Sequence, residues 1–508
     1  MSMYETMTMG AMDWTVVALF FVLVLWVGIR SGKNIKGSAD FFVGGGKVPW
    51  WLSGISHHVS GYSGVVFVGY AGIAYTQGLS IYFWWAVAIA LGTALGAVTI
   101  VPRWPRLRKA LGIESPTEYL QMRYNKATQL LIAISGIGTK LIDVAAKWTS
   151  IGLLLHGFTG MPIWVGVIIS GIISLVYMAI GGIMADLWTD FIQFIIQVAA
   201  GLGLFIGVVA HLGDYGLNFF TAFSALPADH VTVFNAGRGQ GSLSWTLFYF
   251  IVIFLSYNGG TWNLAARFIS TENGKEAKKS AFFSAALYFV WPFILFFPMW
   301  ISPILFPGMD QKTAETLLYA TLTNTFLPTG MVGLVLASMF ANTMTMCNSD
   351  ANTIAAVITR DIIPAFKPDF LNVSEKESLR QARWATGLFT GATVIVALFS
   401  DYLGGVTGMI LTWFSALLGP TNIPLLLGLF PLFKYCDSKA ACSSIIAGLL
   451  AFVVTKFVTV PADIGVALPL LVSFVVYSGI GLINKYVLKT QISAEHENLY
   501  AKLGDKSI

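Results

Sequence analysis

Lys140, Asp143 and Lys147 are spaced three, four and seven residues apart within an apolar run, so a helix puts all three on one face. Charges in such surroundings are costly, and this face must turn to protein or to a watery cavity. Asp143 can accept hydrogen bonds from solute hydroxyls and would repel a carboxylate. The alternative is a structural Lys-Asp-Lys ion cluster, or one in which Lys140 or Lys147 supplies the positive partner of an acidic solute. Two further stretches are polar and glycine-rich where apolar runs should continue: Ser56-His57-His58-Val59-Ser60-Gly61-Tyr62-Ser63-Gly64 and Ser256-Tyr257-Asn258-Gly259-Gly260-Thr261-Trp262-Asn263. Unwinding the first would free the carbonyls of Val59 and Tyr62, oxygen atoms of the kind a hard cation prefers, with Gly61 and Ser63 alongside for a solute. A glycine kink that only lets helices pack is the alternative. The second stretch offers the amides of Asn258 and Asn263 and the indole of Trp262. Trp85, in Tyr82-Phe83-Trp84-Trp85, can stack on the apolar face of a ring or anchor a helix at a membrane surface. His57 and His58 are either proton carriers or neutral core side chains.

The elements that must position these residues are membrane helices. The chain has 508 residues, of which 56% are hydrophobic and only 11% charged, about half the charge of a soluble protein. Apolar runs of about 18 residues or more recur throughout, each long enough to cross a bilayer. They centre on 13–30, 49–75, 79–102, 127–156, 161–181, 186–212, 243–266, 280–305, 330–359, 384–401, 404–433, 441–460 and 465–488, about 13 spans. With the N-terminus outside, the inner loops and tail hold 25 of the 30 Lys and Arg residues. That asymmetry predicts a cytoplasmic C-terminus in a cell inner (plasma) membrane protein, and the net charge of +5 needs no nucleic-acid partner. Arg30, Lys33 and Lys36 follow the first span and no basic residue precedes it, the reverse of a cleavable signal. Cys347, Cys436 and Cys442 show no disulfide, zinc or redox spacing. No metal cluster or nucleophile-base spacing points to an enzyme.

Several motifs carry a resemblance. Asp40-Phe41-Phe42-Val43-Gly44-Gly45-Gly46-Lys47-Val48-Pro49-Trp50-Trp51 leads into the first interrupted run. Ser115-Pro116-Thr117-Glu118-Tyr119-Leu120 with Arg123-Tyr124, Gly181-Gly182-Ile183 with Trp188-Thr189-Asp190 and Gln193, Arg267-Phe268-Ile269 and Thr359-Arg360-Asp361-Ile362 follow in order. In this order and spacing the chain, from about residue 13 to 440, resembles the sodium/solute symporter family, which includes sodium/sugar and sodium/sialic acid cotransporters.

The resemblance implies an all-α membrane protein, a five-plus-five inverted-repeat bundle of the leucine-transporter type with one extra N-terminal and two extra C-terminal helices. Under it, 1–48 is a leading helix and loop, 49–212 the first repeat, 213–242 an outer loop, 243–433 the second repeat, and 434–508 two trailing helices and a tail. Val59 and Tyr62 occupy positions whose carbonyls bind the family's most widespread sodium ion. Aligned on Asn348-Ser349 and Thr359-Arg360-Asp361, the other side of that site falls on the carbonyl of Ser338 and on Ala341-Asn342, where the family has two hydroxyl residues. Asn342 could give an amide oxygen; Ala341 has no side-chain ligand to give. Asp190 matches a carboxylate that holds a second sodium in some members, with helix packing or gating as the alternative. Tyr288 aligns with a sugar-contacting position. The implied activity is sodium-coupled symport of a small polar solute, a sugar or polyol first and a carboxylate or amino acid second. Proton-coupled or uncoupled transport stays open, as does a nutrient sensor on the same scaffold. Na+ is the implied coupling ion with no organic cofactor, the lipid bilayer and a small-molecule substrate are the partners, and the working unit is a monomer.

Overall fold

The computed structural model describes residues 9–32, 35–412 and 418–505; Lys33 of the expected inner loop lies outside them. Almost everything described is helical, and the helices that matter here are α1 (Ala11–Gly32), α2 (Trp50–Val59), α3 (Gly64–Phe67), α4 (Gly69–Gln77), α5 (Ala88–Thr99), α6 (Lys126–Thr159), α7 (Ile163–His211), α8 (Leu243–Leu255), α9 (Trp262–Ile269), α10 (Gly274–Leu305), α11 (Met331–Ala356), α12 (Glu375–Ala397), α13 (Gly419–Asn422), α14 (Ser438–Phe457), α15 (Ala462–Leu482) and α16 (Ala494–Gly504). Side-chain caps start the long ones. Asn125 accepts the Thr128 N–H at 2.8 Å to open α6, and Asn273 accepts those of Lys275 and Glu276 at 3.0 Å to open α10.

Among the described residues nine helices are long and apolar enough to cross a membrane, against about 13 expected. Two of the remaining four have physical reasons. The run 49–75 is cut into α2, α3 and α4, while 161–181 includes 176–181, whose side chains lie outside the described ones, ahead of a kink of α7 at Gly182 (φ 53°). The helix over 384–401 begins in the charged segment of α12, and 404–433 contains undescribed residues.

Both interrupted runs are broken helices. The first breaks at 60–63 between α2 and α3, and the second at 256–261 between α8 and α9. Gly259 sits at φ 125°, where only glycine is at ease, and the Trp104 indole lies 2.5 Å from where a β-carbon would stand. The start of α2 and the end of α9 are tied together, because Val48 donates its N–H to the Ser270 carbonyl at 3.1 Å beside a bridge to Thr271. The two broken helices therefore run antiparallel. Helix α6 flanks both: Gly136 takes the Trp262 ring and Ser150 packs on Gly64. The periphery exposes apolar side chains such as Leu19, Val22, Leu450 and Phe457, as a lipid-facing surface does.

Candidate substrate and cation site

At the first break, Tyr288 of α10 covers the unwound turn. Its hydroxyl donates to the His58 carbonyl at 2.7 Å, and its ring stacks on Tyr62 at 5.6 Å between centroids. Gly61 is obligatory beneath it, since a β-carbon there would fall 1.7 Å from the Tyr288 oxygen. Trp85 stands edge-on to Tyr62 at 5.5 Å and to Tyr70 at 5.3 Å. Ser63 caps α3 through the Val65 N–H at 3.3 Å. Tyr288→Phe removes one of two hydrogen bonds to the His58 carbonyl, which keeps the Gly61 N–H at 3.1 Å, and is expected to destabilise the fold by about 0.5–1.5 kcal/mol, read as a lower melting temperature in detergent. An unchanged melting temperature would mean that this hydroxyl does not hold the break.

His57 joins the two breaks. Its Nε2 lies 2.9 Å from the Tyr257 carbonyl and its Nδ1 2.7 Å from Ser284 Oγ. A carbonyl only accepts, so Nε2 carries a proton, and in the neutral ring Nδ1 accepts from Ser284. His58 is fully buried against Tyr288 and Tyr62, at 4.6 and 4.9 Å, and neither ring nitrogen has a partner among the described residues.

The second break is less uniform than its sequence. Asn258 turns its amide nitrogen to the carbonyls of Gly92 and Phe254, at 2.9 and 2.6 Å, so it ties the break to α5 and α8. Trp262 packs on Gly136. Asn263 is fully buried and neither of its amide atoms has a partner among the described residues.

Asp143 belongs to a closed ring of four charges. Lys140 and Lys147 each approach its Oδ2 at 2.9 Å, and each also reaches Asp350 of α11 at 2.6 Å. All four side chains are buried, and the ring is electrically neutral. It lies on α6 between Gly136 and Ser150, and thus at the level between the two breaks. The sequence places the three α6 residues on one face, and the partner that completes them, Asp350, carries no local signal.

A second buried cluster gathers Asp186 and Asp190 of α7, Arg267 of α9, Ser349 of α11 and Ser56 and Ser60 of α2 and its end. Arg267 donates to Asp186 at 2.5 Å, reaches Asp190 at 3.4 Å, and also bonds Ser349. Ser56 donates to Asp190, and Thr345 donates to Gln193 one turn along α7. Asp186 and Arg267 were not among the expected site residues, although Arg267 belongs to the Arg267-Phe268-Ile269 motif.

These contacts fix which part of α11 faces the first break. Gly64 donates its N–H to Thr343 Oγ1 at 2.9 Å, while Ser56 shares its carboxylate cluster with Ser349. Val59 and Tyr62 lie between Ser56 and Gly64, so the facing stretch of α11 is 343–349, where Thr345 offers a hydroxyl. Ser338 and Ala341 lie outward of it, Ser338 by about 7.5 Å along the axis. Asn342 stands just beyond its end, buried, with neither amide atom partnered among the described residues.

Two helices broken at the same level, set antiparallel and flanked by a charged helix face, define a multi-pass membrane transporter fold with a five-plus-five inverted repeat. The solved, substrate-bound outward-open structure of a Na+-coupled sialic acid symporter superposes with a TM-score of 0.77 at 20% identity, covering 93% of this chain and 98% of that one. The chain belongs to the sodium:solute symporter family, which matches residues 41–448. It is 26% identical to the human sodium/iodide cotransporter, over 88% of this chain and 69% of that protein. It is 25% identical to the Vibrio parahaemolyticus sodium/glucose cotransporter, over 88% and 85%.

Proposed function

We propose that the chain carries out sodium-coupled symport of a neutral, hydroxyl-bearing solute, a sugar or polyol. The relatives are named for solutes as unlike as iodide and glucose, so the substrate reading rests on this chain's own residues. The observation that carries it is the neutral ring at Asp143. Each ammonium is already bridged by two carboxylates, so an acidic solute would have to break a buried ion pair to find a positive partner. A neutral solute asks only for hydrogen bonds and for stacking, available from Asn263 and from Trp85, Tyr288, Gly61 and Ser63.

Sodium is cargo in this scheme. Its ligands are the carbonyls of Val59 and Tyr62 with the Thr345 hydroxyl, all neutral oxygens. The Asp186–Asp190–Arg267 cluster holds two carboxylates for one guanidinium, a buried shortfall of positive charge that supports a second cation at Asp190. Repeats 49–212 and 243–433 then rock to alternate access, with the C-terminus cytoplasmic and a monomer as the working unit. Each cation moving inward gains about 2.3 kcal/mol per 100 mV of membrane potential.

The test is uptake into proteoliposomes across a panel of neutral and acidic solutes. Accumulation of a neutral solute only with an inward sodium gradient is the expected result. Accumulation of carboxylates alone would overturn the substrate reading, and accumulation driven by a proton gradient alone would overturn sodium and direct attention to His58.

A further inference from the structure

Asn422 lies at the end of α13, between Pro420 and Pro424, on an element that neither broken helix supplies. Its side chain is 1% exposed, and neither its amide oxygen nor its amide nitrogen has a partner among the described residues. The amide rests directly on the second break: a β-carbon on Gly260 would fall 2.2 Å from Asn422 Nδ2. The missing side chain at Gly260 is therefore what admits Asn422 to the unwound turn. Two residues at the same break share its condition, because Asn263 has both amide atoms unpartnered and Asn258 has Oδ1 left over among the described residues.

An unmade hydrogen bond on a buried amide costs about 1–3 kcal/mol, and folded proteins rarely tolerate several in one place. The amide could have been satisfied from within, since the turn it touches is unwound backbone. Packing that would suit a leucine has instead been given to a group with two donors and an acceptor. That inventory fits a hydroxyl, which gives one hydrogen bond and takes another.

We infer that Asn422 is a substrate-binding, specificity-determining residue that hydrogen-bonds a hydroxyl of the transported solute at the second break, where Asn263, three residues past Gly260, is a second amide unpartnered among the described residues. The inference rests on the neutral-solute reading above. It also makes this break two-sided, with α13 packed on its unwound turn at Gly260. The two prolines give that element a fixed bend, so Asn422 is held at the break and need not be carried there by helix motion.

The test compares full-length wild type with Asn422→Leu and Asn422→Asp in proteoliposomes. The readouts are solute KM at saturating sodium, apparent sodium affinity, and the rise in melting temperature produced by solute. Asn422→Leu keeps the bulk and removes the hydrogen bonds, so KM for the preferred neutral solute is expected to rise about tenfold or more, with sodium affinity unchanged. Within a series of deoxy analogues, one analogue should be discriminated by wild type and not by Asn422→Leu. Asn422→Asp keeps shape and acceptor, and it decides the matter should the leucine variant misfold. A KM within twofold of wild type for every solute would overturn the inference and leave a bound water as the partner of the amide. If wild type takes only a carboxylate, the neutral-solute reading fails separately, while the KM ratio for that carboxylate still judges Asn422.

Discussion

Asp350→Asn is expected to be the most damaging conservative substitution in the chain. The ring of Lys140, Asp143, Lys147 and Asp350 is neutral and buried, and each ammonium touches both carboxylates. Removing one carboxylate's charge leaves two ammoniums facing a single Asp143 with no water to spread the excess. Breaking a buried pair this way costs about 3–5 kcal/mol, because an uncompensated charge remains. The measurement is the thermal melt and the folded fraction in detergent. Asp350→Asn combined with Lys147→Met restores neutrality, and a double-mutant cycle should return a coupling of about 1–3 kcal/mol between the two sites. A double variant as unstable as the sum of its singles would show that the ring is not the cause. Asp350 also fixes the rotation of α11, since it faces α6 while the adjacent Ser349 faces Arg267. The single variant should therefore lose uptake even where it remains folded.

The breaks were legible in the sequence because glycine, serine and asparagine cluster there and interrupt apolar runs that a continuous membrane helix would keep. Both fall within the predicted stretches, at 60–63 and 256–261. Their antiparallel setting followed from the resemblance, and the tie between Val48 and Ser270 is its physical counterpart. The ring was half legible. A helical period relates Lys140, Asp143 and Lys147, but nothing periodic relates them to Asp350, on another helix. Asn258 illustrates a different limit. Its residue type predicts a ligand group, whereas the torsion of the break turns its nitrogen to the carbonyls of Gly92 and Phe254. Asn422, between two prolines, reads in sequence as a kink and gains a role only through its contact with Gly260.

The register of α11 was the least legible feature, and the reason lies in its sequence. Asn342-Thr343, Asn348-Ser349 and Asn352-Thr353 are three versions of one dipeptide, an amide followed by a hydroxyl. Asn348-Ser349 and Asn352-Thr353 lie four residues apart, about one helical turn, so an alignment anchored on one can slip to the other and still present oxygen atoms to the same face. Tertiary contacts break the degeneracy. Thr343 is held by Gly64, and Ser349 by Arg267 and Asp186.

Thr345→Ala tests that register and the sodium scheme together. Thr345 is the side-chain hydroxyl of α11 between those two anchors and donates across to Gln193 of α7; in the sodium scheme proposed above, its lone pairs serve a cation at the carbonyls of Val59 and Tyr62. Removing one neutral oxygen from a small ligand set is expected to weaken apparent sodium affinity by about tenfold, or about 1.4 kcal/mol. Solute KM measured at saturating sodium should be little changed, because the solute groups at Tyr288, Asn263 and Asn422 are left intact. Thr345→Ser keeps the oxygen and should restore most of the affinity. Ser338→Ala is the control for the alternative register, and its sodium affinity should remain within about twofold of wild type, since one to two turns of helix separate it from the break. The reverse pattern, with Ser338→Ala impaired and Thr345→Ala normal, would place the cation outward of Gly64 and take Val59 out of its ligand set.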